Sequence, residues 1–323
     1  MADFDLFNGD ADGIFSLLQL RQMDPRPQAE QVTGVKRDTQ LFAKIADRVS
    51  AGDRVAALDI GMARNTQGLQ TVLDKGAMVF FCDHHATGDI PEAENLTVLT
   101  DAALNTCTSF LIDYHIKGAK AAWAVCGIYG DNFQELAARV AAHRKVSFPL
   151  NQLRELGELV NYNAYGSTVE DLHFHPSELY AILAAYPDPM AFLEDAPEAL
   201  YILRNGYNSD WEIAGQAREI DISNAGQILS LPASSASNRI SGLFANALVD
   251  EDPDKAFAIL THLDPEQGGY RVSVRAPTAR KTKAADVFAK AFGGGGRAEA
   301  AGIDYLTEAD MNRFVDAFNA AFG

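Results

Sequence analysis

Cysteine, long apolar runs and basic residues are all scarce in this sequence. Its three cysteines, Cys82, Cys107 and Cys126, include no CxxC pair, which argues against a disulfide scaffold or a zinc site and suggests reduced thiols in a cytoplasm. No apolar run approaches the roughly 20 residues of a membrane span. The acidic start "MADFDLFNGDADG" has none of the basic and then apolar character of a secretory signal. We therefore expect a cytoplasmic protein that makes no contact with a membrane.

The shortage of positive charge narrows the range of binding partners. The chain has 44 acidic residues against 27 basic ones, which gives a formal net charge of −17. Such a surface repels the backbone of long nucleic acid, although a bound metal ion can reverse the field at a single site. The composition therefore argues against extended contact with nucleic acid and leaves a short anionic substrate open.

Strand-like and helix-like segments alternate through the first half of the chain. Runs rich in β-forming residues lie at 4–7, 32–35, 55–60, 77–81 and 96–99. Between them, apolar residues recur at helical spacing at 14–23, 39–49 and 65–76. Alternation of this kind predicts an α/β fold with a parallel sheet and helices on both faces. We assign residues 1–190 to this first domain.

The second half of the chain predicts a smaller α/β domain. Its pattern is helical from about 150 to 225, and a strand is expected from about 226. Strand-like segments at 257–263 and 270–276, a glycine-rich loop and a closing helix at 311–322 follow. We therefore expect a helical connector at 191–225 and a second domain at 226–323, with the active site in the cleft between the two domains.

Acidic and imidazole side chains follow several of the apolar segments that we interpret as strands. They are Asp10, Asp12, Asp59, Asp83, His84, His85 and, after the apolar run 121–131, Asp131. Because the carboxyl ends of parallel strands meet at one edge of a sheet, we expect these groups to converge. Several carboxylates in a small volume repel one another unless cations are present. Oxygen ligands with an imidazole suit Mn²⁺ above all, with Mg²⁺ or Zn²⁺ as alternatives.

Each of these motifs also has an ordinary structural explanation when it is taken alone. The stretch "DADG" suits a turn, two adjacent histidines suit an exposed pair, and an aspartate after a strand suits a helix cap. Their shared position after apolar segments favours one common site. Neighbouring strand residues point to opposite faces, so His84 and His85 are expected to have different roles at a strand end.

Five motifs in order, "GDADG", "LDIG", "DHH", "YGDN" and "GGGGRAEAAG" at 293–302, resemble those of the DHH phosphoesterase superfamily with its companion DHHA1 domain. The resemblance covers nearly the whole chain. Relatives with this two-domain plan include short-oligonucleotide hydrolases, 3′-phosphoadenosine-phosphate phosphatases and cyclic-dinucleotide phosphodiesterases. The resemblance implies a hydrolase that cleaves phosphodiester or phosphomonoester bonds of a small nucleotide or short single-stranded oligonucleotide, with one or two Mn²⁺ ions, and it leaves a homodimer open.

The resemblance also implies roles for the matching residues. The expected metal ligands are Asp10, Asp12, Asp59, His84 and Asp131, with Asp59 shared between two ions. Asp83 would orient the neighbouring loop and imidazole, and His85 would face the phosphate, so these two are the expected catalytic residues. The expected substrate contacts are Asn8, Arg275, Gly294, Gly295, Gly296 and Arg297. Arg275 could equally be a surface arginine. A glycine run alone suits a flexible loop, but the Arg297 that follows it favours anion binding.

Two positions depart from the family pattern. Leu6 stands where many relatives have a metal-binding histidine, so the first metal site is expected to rely on the neutral oxygen of Asn8 instead. Arg297 stands where the glycine motif usually has a histidine, and its guanidinium would hold a phosphate or carboxylate bidentately at every working pH. Lys36, Arg37 and Arg64 follow strands on the same predicted edge, where assistance in phosphate binding is an alternative, but we interpret them as solvated charges. We expect no metal at His173 and His175.

Two other functions stay open on the sequence alone. One is an inorganic pyrophosphatase or exopolyphosphatase that uses the same cluster. The scarcity of basic residues argues against this function, because such enzymes need several of them around the site. The other is a degenerate, non-catalytic metal- or nucleotide-binding regulator. Leu6 favours this last hypothesis, whereas four intact ligand positions argue against it: Asp12, Asp59, His84 and Asp131.

Overall fold

The computed structural model describes residues 1–103, 105–279 and 284–323. They separate into two compact units, Met1–Arg204 and Asn205–Gly323. The predicted α/β class is confirmed in both units, because each has a sheet that packs against helices.

The first unit contains a five-stranded sheet in which every pairing is parallel. Its strands are β1 (Asp3–Phe7), β2 (Glu30–Val32), β3 (Arg54–Leu58), β4 (Met78–Asp83) and β5 (Leu96–Thr100), arranged in the order β2-β1-β3-β4-β5. The chain therefore changes direction across the sheet between β1 and β3. In open parallel sheets, ligands bind beyond the carboxyl ends of the strands at such a point.

Helices cover both faces of this sheet, as the sequence predicts. They are α1 (Ala11–Met23), α2 (Phe42–Ile45), α3 (Met62–Asp74), α4 (Thr108–His115), α5 (Ala121–Gly130), α6 (Gln134–Arg144), α7 (Leu150–Asn163), α8 (Pro176–Ala184) and α9 (Pro189–Asp195). On one face, Leu6 and Phe81 pack with Phe42 of α2, and the two phenyl rings stack 6.1 Å apart. On the other face, Phe7 contacts Tyr180 of α8 at 5.9 Å.

The second unit contains a six-stranded, mostly antiparallel sheet in the order β10-β11-β9-β8-β7-β6. Its strands are β6 (Arg218–Ile222), β7 (Gly226–Leu231), β8 (Ala256–His262), β9 (Tyr270–Arg275), β10 (Gly295–Gly296) and β11 (Ala300–Leu306). The helices are α11 (Ser235–Glu251), α12 (Ala285–Lys290) and α13 (Met311–Phe322), and α10 (Glu198–Ala214) contains the boundary between the units. Phenylalanines of α12 and α13, including Phe288, Phe314 and Phe318, fill the core on one face.

Three details of the sequence prediction are wrong. The apolar run 121–131 is the helix α5, and Asp131 follows a helix instead of a strand. This helix packs against α1, α4, α6 and α7, and a short helix that is apolar on all sides has no periodicity to tell it from a strand. The predicted helix at 39–49 contracts to Phe42–Ile45, and the connector contains the strand β6.

None of the helices in the described part of the chain combines the length and the apolar character needed to cross a membrane.

Candidate metal centre

The turn after β3 places Asp59 at the carboxyl edge of the first sheet. Its backbone N–H donates to the carbonyl of Cys82 in the adjacent strand at 3.0 Å, and its φ is 61°. This left-handed conformation is uncommon outside glycine, and aspartate is among the residues that tolerate it best. The side chain is buried, with 2% of its surface exposed. The local backbone therefore directs a carboxylate into the interior of the site.

Asp10 and Asp12 lie at the first turn of α1. Asp10 is its N-cap residue and accepts the N–H of Gly13 at 3.1 Å. The carboxylate of Asp12 accepts the N–H groups of Thr108 at 2.7 Å and Ser109 at 2.6 Å. These two donors are at the N-terminus of α4, where free N–H groups and the helix dipole favour a negative charge. No local pattern around Asp12 indicates that α4 supports it in this way.

His84 lies among three of the predicted carboxylate ligands. Its Nε2 atom is 3.5 Å from Oδ1 of Asp59, 3.6 Å from Oδ2 of Asp131 and 3.9 Å from Oδ2 of Asp12. Atoms that bind one small divalent ion at about 2.0–2.2 Å are themselves about 3–4 Å apart. The ligand atoms of His84, Asp12 and Asp131 lie close enough together to hold one divalent cation, and Asp59 belongs with His84 and His85 to an adjoining group.

His85 makes a different set of contacts. Its Nδ1 atom lies 2.8 Å from Oδ1 of the fully buried Asp83, and the other oxygen of Asp83 accepts the N–H of Gly61 at 3.0 Å. The side chain of His85 is 34% exposed, against 11% for His84. The two adjacent histidines therefore do occupy different environments. His85 also lies close enough to Asp59 and His84 to complete a second group of metal-binding atoms.

The cluster has an excess of negative charge. Burial, together with the charges of Asp12, Asp10, Asp83 and Asp131, raises the pKa of Asp59 well above its usual value. Burial also raises the pKa of Asp131 to about 6, although Lys36 acts in the opposite direction. Buried carboxylates of this kind are stabilised when a cation binds between them and displaces their protons. The electrostatics of the site therefore favour a bound divalent ion.

Lys36 is the main residue that the sequence interpretation placed wrongly. Its Nζ atom lies 2.6 Å from Oδ2 of Asp10, 3.2 Å from Oδ1 of Asn161 and 3.8 Å from Oδ1 of Asp131. Burial alone would raise the pKa of Asp10, but Lys36 and the N–H of Gly13 hold it below its usual value. Lys36 is therefore part of the cluster and is not a solvated surface charge.

The two unusual positions of the first motif are both buried. Leu6 has no exposed surface and belongs to the apolar core between the sheet and α2 and α3. The Oδ1 atom of Asn8 accepts the backbone N–H of Asp10 at 3.4 Å. Of these two side chains, only Asn8 offers an oxygen near the first aspartate.

In the second unit, the predicted substrate residues lie at one end of the sheet. Arg275 is paired with Ala300 of β11, and the N–H of Arg297 donates to the carbonyl of Ala300 at 2.8 Å. The side chain of Arg275 donates to Asn246 at 2.5 Å and to the carbonyl of Gly242 at 3.1 Å. Strand pairing thus brings the two arginines to the same region of the sheet.

The last two glycines of the run form β10, which pairs with β11 in a tight hairpin. A Cβ atom on Gly294 would lie 2.2 Å from the carbonyl oxygen of Gly302, and one on Gly296 would lie 2.4 Å from that of Ala300. A Cβ atom on Gly295 would meet nothing within 4 Å. The close approach of the two strands therefore requires Gly294 and Gly296 but not Gly295.

His173 and His175 take part in local contacts. His173 lies 2.8 Å from the hydroxyl of Tyr162, and His175 caps α8 by accepting the N–H of Ser177. Neither residue is in the groups of metal-binding atoms found among the described residues.

Comparisons with known proteins agree with the family resemblance that the five motifs show. Residues 225–323 match the sequence model of the DHHA1 domain, whereas no curated protein sequence gives a significant match. The exonuclease RecJ bound to manganese is similar in structure, at 16% identity, with 99% of this chain and 89% of that chain covered and a TM-score of 0.65. The pGpG-specific phosphodiesterase PggH from Vibrio cholerae gives 12% identity, 99% coverage of both chains and a TM-score of 0.55.

A third similar structure is an exopolyphosphatase-related protein from Bacteroides fragilis, at 14% identity, with 99% of this chain and 91% of that chain covered and a TM-score of 0.54. At these identities the similarity establishes the fold. The chain has the DHH/DHHA1 fold of RecJ and carries a DHHA1 domain. The DHHA1 match and the fold are consistent with a protein of the DHH phosphoesterase superfamily, the family that the five motifs resemble.

Proposed function

We propose that the protein is a metal-dependent phosphoesterase that hydrolyses phosphodiester or phosphomonoester bonds of short nucleotides. The observation that carries this proposal is the position of His84 Nε2, 3.5–3.9 Å from carboxylate oxygens of Asp59, Asp131 and Asp12. A similar structure, PggH, is a pGpG-specific phosphodiesterase. The substrates that we consider are oligonucleotides of a few residues, 3′-phosphoadenosine phosphate, and linear or cyclic dinucleotides.

Asp12, Asp59, His84 and Asp131 would hold the ion, and we propose Mn²⁺. Mixed carboxylate and imidazole ligands suit this ion, and the similar RecJ structure is bound to manganese. When bound, a divalent ion of this kind lowers the pKa of a water molecule and offsets charge on the phosphoryl oxygens.

His85 and Asp83 would position and stabilise the phosphate. Asp83 accepts Nδ1–H of His85 and is itself held by the N–H of Gly61, so the imidazole is fixed in orientation. A protonated His85 then presents its Nε2–H group as a donor to a non-bridging phosphate oxygen, where negative charge develops during the reaction.

Arg275 and Arg297 would bind the distal part of the substrate. Guanidinium groups bind phosphate through paired, charge-assisted hydrogen bonds, and both arginines lie at the same end of the second sheet. Asn8 and the glycine hairpin complete the proposed set of substrate contacts.

The buried, unpaired thiols of Cys82, Cys107 and Cys126 suit a reducing compartment, so we place the protein in the cytoplasm.

A second candidate function is the hydrolysis of polyphosphate, because an exopolyphosphatase-related protein shares the fold. Both functions are tested by one substrate panel with Mn²⁺, which contains a linear dinucleotide, a cyclic dinucleotide, a trinucleotide, 3′-phosphoadenosine phosphate and polyphosphate. We expect turnover of at least one nucleotide and its loss in Asp59→Asn. Turnover of polyphosphate alone would favour the second function, and no turnover of any substrate would overturn both.

A further inference from the structure

Lys36 places a permanent positive charge inside the cluster of buried aspartates. Its Nζ atom is 2.6 Å from Asp10, 3.2 Å from Asn161 and 3.8 Å from Asp131. We propose that the ammonium group of Lys36 takes the place of a second cation, so that the centre holds one divalent ion, at His84. This inference rests on the proposed metal-dependent function.

The local backbone directs Lys36 to this position. Lys36 follows β2, which pairs with β1 directly ahead of Asp10, and its own N–H donates to the carbonyl of Ala164 at 3.0 Å. The ammonium also lies 5.4 Å from the centre of the Tyr165 ring. A lysine ammonium is a compact charge with three N–H donors, and here three oxygens from separate segments surround it. These contacts form a binding site for the ammonium cation.

While Lys36 is in place, the surroundings of Asp10 offer no free set of ligands for a second ion. Leu6 is buried in the apolar core, and the Asn8 side chain accepts the N–H of Asp10 itself. Among the described residues, the two groups with closely spaced metal-binding atoms both contain His84, and Asp10 belongs to neither. With Lys36 in place, the residues available to bind a metal are therefore those around His84.

A second divalent ion would also compete directly with Lys36. An ion bound to Oδ2 of Asp10 at about 2.1 Å would lie within roughly 5 Å of the ammonium, where like charges in a buried site repel strongly. Since the lysine already balances the charge of Asp10, the second ion would gain little by displacing it. One divalent ion and the Lys36 ammonium together thus balance the negative charge of the carboxylates.

The test counts Mn²⁺ ions per chain by calorimetric titration and by elemental analysis after gel filtration. We expect one ion in the unmodified chain and two in Lys36→Ala, which frees Asp10, Asn161 and Asp131 as oxygen ligands. Lys36→Met keeps most of the side-chain volume and serves as the second variant if Lys36→Ala does not fold. Lys44→Ala is the matched control, because Lys44 pairs with Asp38 at the surface, and it should keep one ion.

The outcomes separate this inference from the proposed function. Two ions in the unmodified chain would overturn the role of Lys36 and leave the metal-dependent function standing. One ion in both the unmodified chain and the Lys36 variants, with equal affinity, would also overturn it. No bound Mn²⁺ in the unmodified chain would defeat the metal-dependent function itself.

Discussion

The Nδ1 atom of His85 lies 2.8 Å from Oδ1 of Asp83, and Asp83 in turn is fixed by the N–H of Gly61. This pair sets the orientation and the protonated nitrogen of the histidine that we expect to contact the phosphate. Asp83 is fully buried, so it acts through His85 and does not itself reach the substrate.

Asp83→Asn tests this positioning role. The amide keeps the size of the carboxylate and can still accept from Gly61, but it is neutral, so the charge-assisted hydrogen bond to Nδ1 that orients the ring is lost. We expect kcat to fall by about 10- to 100-fold, as is typical when the partner of a catalytic ring is removed, and the acidic side of the pH profile to shift. The exposed Asp89→Asn is the matched control, and equal kcat values in the two variants would rule out the role.

Asp59→Asn should separate metal binding from folding. Because burial and neighbouring acids raise the pKa of Asp59, replacing it with a neutral isostere relieves repulsion in the metal-free chain. Asparagine also tolerates the left-handed backbone found at this position. We expect a metal-free Tm equal to or above that of the unmodified chain, with no further rise on addition of Mn²⁺. Scanning fluorimetry in chelator and in Mn²⁺ measures the metal-free Tm and its rise on metal binding. A rise in Tm equal to that of the unmodified chain would contradict the role of Asp59 as a metal ligand.

Asp131 should make the stability of the metal-free chain depend on pH. Its pKa is raised from 3.8 to about 6 in the folded state, with burial as the main cause. The folded chain therefore retains a proton that the unfolded chain releases, and this contribution to stability is complete below about pH 4 and is lost as the pH rises through about 6.

The variant Asp131→Asn has no proton to lose at this position. In chelator, its Tm should gain a few degrees relative to that of the unmodified chain between about pH 4 and pH 7. Parallel Tm curves for the two proteins across this range would show that the carboxyl of Asp131 is not perturbed by the cluster.

The glycine hairpin offers a matched pair of substitutions. Gly295→Ala meets no atom within 4 Å, whereas a Cβ atom on Gly294 would lie 2.2 Å from a backbone oxygen. We expect Gly294→Ala to lower Tm and Gly295→Ala to leave it unchanged while raising KM for the nucleotide. If KM is also unchanged in Gly295→Ala, the hairpin is structural and does not contact the substrate.

The acidic residues at the carboxyl edge of the first sheet were predictable because buried strands are visible as apolar runs in the local sequence. Asp59 and Asp83 directly follow or end buried strands, β3 and β4, and parallel strands bring such positions together. Asp131 was assigned to the same site for a wrong structural reason, since the preceding segment is a buried helix. Its motif, and not its secondary structure, indicated its position beside His84.

The partners that complete the site were not predictable from one sequence. Thr108 donates to Asp59 across 49 positions of the chain, and Lys36 reaches Asn161 across 125. Local periodicity and turn signals contain no information about such pairings, because they depend on how α4 and α7 pack in three dimensions. For the same reason, the sequence interpretation treated Lys36 as a surface charge.

Anomalous diffraction from a crystal of this protein soaked in Mn²⁺ tests the metal centre most directly. We expect one strong anomalous peak about 2.2 Å from the ligand atoms of the four proposed ligands, Asp12, Asp59, His84 and Asp131. The absence of a peak at this position under saturating Mn²⁺, or a peak only at other residues, would contradict the account.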